Sequence, residues 1–394
     1  MTCVVRIVVL VLGLAFAGSA AAADRVYWAN DGSSMISFAR LDGLGGGDVN
    51  TTGATMDNPY GTAIDLVHGR IYFATYSSSK ISFARLDGSG GGDLVTTGAT
   101  VDHPTGVAID TRTGRIYWAN DGLSNTIAFA RLDGSGGGNL ATTGATVLDP
   151  EGVALDIAGG RIFWANNRIS GPISLARLDG SGGGGDLNVS GATTTQPGGV
   201  AIHPGQRRVY WANTTNGLGG NSIGFANLNG TGGGGMVNTT GSHIEDPFGV
   251  AIDTDAGRIY WGNWGESTPA SIGFALLNGT GGSVLSTVGA TKDEPEFPSL
   301  LKKPRTSAKP GVRGGHRVGA RLTCVPHWAG DVLGAFLYRR PVTSSVRWLR
   351  NGRLVPGAST KTLRTHRPGS YRCRAKATNQ AGTTLSTSAG HRVR

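Results

Sequence analysis

The chain has 394 residues, of which 66 are Gly, 39% are hydrophobic and eight are Trp. That is enough apolar surface for a buried core, which excludes a disordered chain, and Gly does not fall at every third position, which excludes a collagen-like helix. The net charge of +10 hides a break: residues 1–301 carry 16 Lys+Arg against 25 Asp+Glu, whereas residues 302–394 carry 20 Lys+Arg against the single acid Asp331. An acidic part followed by a strongly basic one places a domain boundary near residue 301.

Residues 1–23 open with Arg6, an apolar run from Ile7 to Ala17, and small residues up to Ala23. This reads as a cleaved signal peptide rather than a membrane anchor, because the apolar run is too short to span about 30 Å of hydrocarbon. The expected location is therefore secreted and extracellular, with no transmembrane segment. Cys3 leaves with the leader, and the remaining Cys324 and Cys373 are expected to pair as one disulfide in an oxidising compartment.

From residue 24 the chain repeats itself. Tyr27-Trp28-Ala29-Asn30 recurs at Tyr72, Tyr117, Phe163, Tyr210 and Tyr260, with spacings of 45, 45, 46, 47 and 50 residues. One unit holds Pro104-Thr105-Gly106-Val107-Ala108-Ile109-Asp110, then Arg115 to Asn120, then Ile127 to Leu132, then a Gly-rich turn and a last short run. Four short β-type runs per unit, each too short for an ordinary helix, predict a propeller blade. The chain opens on a second strand (Val26–Asn30) and the repeats end on a first strand (Pro298–Leu301). Six whole blades therefore require the last strand to pair with the opening three, which also removes an exposed sheet edge.

The spacing of Gly-Val-Ala-Ile-Asp, Arg-Ile-Tyr-Trp-Ala-Asn and Leu-Asp-Gly resembles the YWTD (class B) repeat of low-density lipoprotein receptor propellers, over residues 25–301. The resemblance implies an all-β, six-bladed propeller over 24–301. One departure is regular: Ala-Asn stands where the family motif has Thr-Asp. The Gly-rich segments, such as Asp87-Gly88-Ser89-Gly90-Gly91-Gly92, occur once per repeat and read as hairpin turns, since Gly accepts positive φ without a Cβ clash.

Residues 302–312, beginning Lys302-Lys303-Pro304-Arg305, read as an exposed basic linker, and 313–394 as a second domain. Cys324, Trp348 and Cys373, with Tyr371 two residues before the second Cys, form the immunoglobulin pattern of disulfide, packed Trp and tyrosine corner. The segment is similar to Ig-like modules of bacterial secreted proteins, which implies a β-sandwich.

No His-x-x-x-His pair, Cys-rich metal set or Gly-x-Ser-x-Gly elbow is present, so no catalytic residue, metal or cofactor is expected. Asp65, Asp110, Asp156 and Asp253 recur at one place in four repeats and read as structural strand ends; Asp57, Asp102, Asp149, Asp246 and Glu294, just before the prolines, read as turn residues. Binding is better placed where repeats differ. The turns before the first strand (Tyr60, Thr105, Glu151, Gly198, Phe248, Glu296) and after the second (Asp31, Tyr76, Asp121, Asn167, Thr214, Trp264) open on one face and vary over a repeating scaffold. Tyr60, Tyr76, Phe248, Trp264, Asp31, Asp121 and Glu151 are the candidate binding residues for an extracellular protein or glycan, with aromatic anchors leading. The basic module is a spacer or a surface anchor for an anionic cell-surface polymer; no row of aromatics points to specific nucleic-acid reading. The alternatives are a metal-dependent propeller enzyme of lactonase or lyase type and a purely structural surface protein.

Overall fold

The computed structural model describes residues 23–214, 220–265 and 269–394. The expected leader lies outside the described residues except for Ala23. Among them no helix is long and apolar enough to cross a membrane, and the chain is almost wholly β.

Sheet 2 shows the repeating plan: Pro59–Asp65, Arg70–Thr75, Lys80–Arg85 and Gly91–Asp93 run antiparallel in chain order from inside to outside. The four sheets that follow begin at Pro104, Pro150, Pro197 and Pro247 and are built alike. Sheet 1 is completed from the far end of the repeats: Pro295–Leu301 pairs with Arg25–Asn30, matching Val26 to Leu300 and Asn30 to Pro295. Each innermost strand packs against the next, and Pro295–Leu301 against Pro59–Asp65, so the sheets close a ring. Both faces of the two inner strands are covered by neighbouring sheets, which is why they read as continuous apolar runs rather than as alternating ones.

The Ala-Asn departure has a clear structural use. Trp28, Trp118, Trp164, Trp211 and Trp261 are fully buried between sheets. Asn120 Oδ1 accepts from Trp118 Nε1 at 3.1 Å and from the Asp102 backbone N–H at 3.0 Å, while its amide donates to Thr126 Oγ1 at 2.9 Å. Asn30, Asn166, Asn213 and Asn263 hold the same backbone N–H of the segment entering their own sheets. The amide side chain thus accepts from two donors and donates to a third group at once, which a buried site requires. In sheet 2 Thr75 stands there, and among the described residues its hydroxyl bonds only the Lys80 carbonyl, at 3.2 Å.

The turns take simple forms. Asp87 Oδ1 accepts from the Ser89 N–H at 2.9 Å around Gly88, whose φ is +81°, so the Asp-Gly-Ser turn is closed by its own side chain. Asp65, Asp110, Asp156 and Asp253 each accept a backbone N–H two or three residues on, at 2.8–3.0 Å, capping the turn after the inner strand.

Beyond residue 301 come two antiparallel sheets. One contains Thr306–Gly314, Arg321–Trp328 and Thr362–Arg364; the other contains Arg353–Leu354, Thr343–Arg350, Gly369–Asn379, Gly382–Thr387 and His391–Val393. The Cys324–Cys373 disulfide joins them over fully buried Trp348, and Tyr371 Oη donates to the Arg367 carbonyl at 2.8 Å. Part of the stretch read as an exposed linker is ordered: Thr306–Gly314 is a strand, and Lys302 Nζ lies 2.7 Å from Asp253. Arg305 and Arg339 both meet Asp255. Two acids of the ring therefore pair with three cations of the basic part, as opposite charges in a half-buried contact favour.

A segment of the basic part also enters the ring. Leu333–Ala335 forms a short 3-10 turn, and Leu337–Tyr338 pairs in parallel with Leu300–Leu301. Leu333, Ala335, Phe336, Leu337 and Tyr338 are buried against the ends of the inner strands. They close the mouth of the ring opposite to the Pro-x-Gly turns.

Candidate functional site

The inner strands converge on the ring axis at the third residue of each Pro-x-Gly turn. A Cβ on Gly106 would lie 2.4 Å from Gly152 Cα, one on Gly152 2.5 Å from Gly199 Cα, and one on Gly199 2.4 Å from Gly249 Cα. These glycines are needed for close backbone approach. In the sixth turn, Pro295-Glu296-Phe297, a phenylalanine stands instead, and its ring fills the axis against Gly106, Gly152, Gly199 and Gly249. One side chain thereby seals the channel and makes a floor.

Above that floor the second residues of the turns and the residues after the second strands meet. The rings of Tyr60 and Phe248 lie 6.4 and 5.3 Å from Phe297, and 6.3 Å from each other. Phe248 stacks on Trp264 at 5.2 Å, Tyr60 lies 5.2 Å from Tyr76, and Tyr76 meets His103 at 4.8 Å. A continuous track of rings therefore crosses the mouth, and such pairs favour offset or edge-to-face geometry. Phe248 is buried, whereas Tyr60, Tyr76 and Trp264 are half-buried and keep part of their surface in solvent.

Carboxyl groups flank the track. Glu296 Oε1 accepts from Trp264 Nε1 at 2.8 Å, and Asp121 accepts from Tyr76 Oη at 3.3 Å. Glu151 Oε1 accepts from Asn167 Nδ2 at 3.4 Å, and Asp31 from Asn58 Nδ2 at 2.7 Å. Glu151 and Glu296 are buried, and among the described residues the second oxygen of each has no hydrogen-bond partner. Burial first, and then the negative charge of Asp121 on Glu151 and of Glu151 on Glu296, holds both well above the ordinary carboxylate range. Asp121 is pushed up to about 6 by burial and by Asp149, and Tyr76 to about 12 by burial and Asp121. Asp31 is raised by burial.

The backbone fixes every rim position in one way. The N–H groups of Asp31, Tyr76, Asp121, Asn167, Thr214 and Trp264 donate to the carbonyls of Glu294, Asn58, His103, Asp149, Gln196 and Asp246, at 2.9–3.4 Å. Those six accepting residues have φ between 43° and 55°, the left-handed region, although none is Gly. Such strain persists only where the surroundings over-determine it. Asp149, Asp246 and Glu294, read as turn residues, thus sit at the strained corners, whereas Asp57 and Asp102 accept from Ser78 Oγ at 2.7 Å and the Ser124 N–H at 2.9 Å.

All seven candidate residues, Tyr60, Tyr76, Phe248, Trp264, Asp31, Asp121 and Glu151, lie on this one face. Sequence reasoning placed Glu296 in these turns without making it a candidate, and left out Phe297 and His103. The signal for Phe297 is the one turn that departs from Pro-x-Gly. Thr105 and Thr214 belong to the same sets but turn inward, Thr105 Oγ1 donating to the Pro150 carbonyl at 3.1 Å and Thr214 Oγ1 to that of Gln196 at 2.9 Å. Among the described residues no cluster of three or more His, Cys, Asp or Glu is placed to hold a metal ion.

No protein-family model matches the chain, and no curated protein does. Solved structures do. A chain in the crystal structure of a nidogen/laminin complex is 18% identical over 70% of this chain and 98% of its own length, with a TM-score of 0.55. TolB from Acinetobacter baumannii is 14% identical over 71% of this chain and 66% of its own, with a TM-score of 0.51. The ring is a β-propeller. Its Pro-x-Gly turns and the segments after the second strands mark one mouth of the propeller, and the segment Leu333–Tyr338 closes the other.

Proposed function

We propose that this chain is a secreted, non-catalytic binding protein. Its six-bladed propeller, of the low-density lipoprotein receptor class B type, holds an extracellular protein or glycan at the mouth, and its Ig-like module is a spacer or surface anchor. The observation that carries the reading is the ring track Tyr76-Tyr60-Phe248-Trp264, flanked by Asp31, Asp121, Glu151 and Glu296, all contributed by different strands of a repeating scaffold. Half-buried aromatic faces beside carboxyl groups suit a sugar ring or a peptide side chain, which bring an apolar face and hydrogen-bond donors together. The like-charged carboxyls hold one another up in pKa, so the rim is not arranged for stability. The similar propeller taken from a nidogen/laminin complex comes from a protein–protein assembly, in keeping with a partner at the mouth.

The Ig-like reading rests on the two sheets, the disulfide across them and the Tyr371 corner. The test is a glycan and peptide array probed with the full chain and with Trp264→Ala. Hits shared by the wild type and lost in the variant are expected. Hits that survive the substitution, or turnover of lactones or glycosides by the purified chain, would contradict the reading.

A further inference from the structure

The geometry points to a second binding site, at the tip of the Ig-like module farthest from the propeller, built to hold an acidic polysaccharide. It deepens the proposed anchor role and does not depend on the propeller mouth. The module meets the propeller through one end of its larger sheet: Ala381 is buried in the propeller core, and a Cβ on Gly69 would lie 3.5 Å from Gln380 Nε2, beside the pairing of Thr343 with Thr378. Along the same two strands, Arg350 pairs with Tyr371. Seven residue steps at about 3.3 Å each set that far end roughly 23 Å away.

There a groove of about 710 Å³ opens between the turns. Arg350, Arg353, Arg364, Arg367 and His366 line it. No acid is at hand to neutralise them: the only acid after residue 301 is Asp331, and it is held at the other end by the backbone N–H groups of Arg339 and Arg340, at 2.7 and 2.8 Å. None of the four groove arginines has an acidic partner among the described residues. The cations of the module that face the propeller are treated differently, since Lys302, Arg305 and Arg339 are paired with Asp253 and Asp255. The uncompensated charge therefore lies on the surfaces of the module away from these contacts, and the groove brings four of its arginines together.

The floor decides the class of anion. Leu354, Val355, Pro356 and Leu363 offer aliphatic surface; of the two rings in the lining, Tyr371 is buried with its hydroxyl spent on the Arg367 carbonyl at 2.8 Å, and His366 is a single exposed imidazole. Single-stranded nucleic acid needs exposed aromatic platforms on which bases stack. The groove offers no row of them, only His366, whereas an apolar floor under a rim of arginine forks fits the face of a sugar ring carrying carboxylate or sulfate groups. Anchored by this tip, the chain would present its open propeller mouth away from the polymer.

The test uses the full chain and three probes in a salt series: heparin, polygalacturonate and a single-stranded oligonucleotide, with dextran as the neutral reference. Two triple variants remove equal charge: Arg353→Gln with Arg364→Gln and Arg367→Gln in the groove, and Arg347→Gln with Arg374→Gln and Lys376→Gln on the exposed sheet face. All six positions are exposed, so both variants are expected to keep the wild-type urea midpoint, which is measured alongside. The groove triple is expected to bind the two acidic polysaccharides roughly 100-fold less tightly, about fivefold per charge, with a shallower salt dependence. The face triple and Trp264→Ala should keep binding close to the wild type. Equal losses in the two triples would overturn the groove while leaving a diffuse anchor. Tighter binding of the oligonucleotide than of either polysaccharide would overturn the ligand class, and no binding to any polyanion at low salt would overturn both groove and anchor.

Discussion

Asp121→Asn should make the protein more stable at neutral pH and leave it unchanged in acid. The Asp121 carboxyl is pushed from 3.8 to about 6 by burial and by Asp149. Its folded pKa therefore lies above the unfolded value of about 3.9. With the folded pKa raised, the neutral form is the favoured one in the fold. Below about pH 4 both states are protonated and the group costs nothing; as pH rises through the window from about 4 to 6 the folded state is penalised, and above about 6 the penalty is complete. A rise of about two units corresponds to about 3 kcal/mol. More than a third of the group is in contact with solvent, whose screening reduces this to about 1–2 kcal/mol. Asparagine keeps an oxygen for Tyr76 Oη, now at 3.3 Å, removes the charge, and relieves Glu151, which Asp121 pushes upward. Urea unfolding of both proteins at pH 4 and pH 7.5 measures the difference. A gain of about 1–2 kcal/mol at pH 7.5 and none at pH 4 is expected. Equal effects at the two pH values, or a loss at pH 7.5, would refute the view that rim carboxyls are retained against stability.

Other outcomes follow from packing. Gly152→Ala places a Cβ 2.5 Å from both Gly199 Cα and the Phe297 ring; backbone atoms cannot yield, so the loss should reach at least the upper part of about 1–3 kcal/mol, whereas Gly185→Ala, with nothing within 4 Å, should change urea midpoints little. Asn120→Ala takes the side-chain acceptor from the Asp102 N–H and the bond to Thr126 Oγ1, and leaves Trp118 Nε1 with the Thr100 carbonyl alone; it should cost about 1–3 kcal/mol in the same assay. Leu337→Ala, at a fully buried position under the propeller, should cost about 2–5 kcal/mol and expose Leu300 to exchange; unchanged exchange there would show that the segment is not docked.

The propeller was legible because its strands carry their own punctuation. Tyr-Trp-Ala-Asn or a close variant marks each second strand, Pro-x-Gly all but the last first strand, and Asp-Gly or Asn-Gly the hairpin after the third, so spacing alone implied the pairing that Val26 and Leu300 make. The position of the rim residues followed from strand order, which puts two sets of turns on one mouth. What those turns do there was less legible. Nothing local distinguishes Glu296 from a solvated acid, and only the packing of Trp264 and Phe248 buries it. His103 joins the track because its backbone is held in the left-handed region, which residue identity does not announce. The docking of Leu333–Tyr338 and the pairing of Lys302 and Arg339 with Asp253 and Asp255 depend on contacts between distant parts of the chain. A charge count predicts an exposed basic linker because it cannot see the acids that meet it.

Hydrogen exchange with the strongest array hit bound reads the propeller mouth directly. Slowed exchange confined to the N–H groups of Asp31, Tyr76, Asp121 and Trp264 and the turns at Tyr60, Phe248 and Phe297 is the expected pattern. Protection that spares these positions and falls on the outer strands would contradict a binding site at the axis.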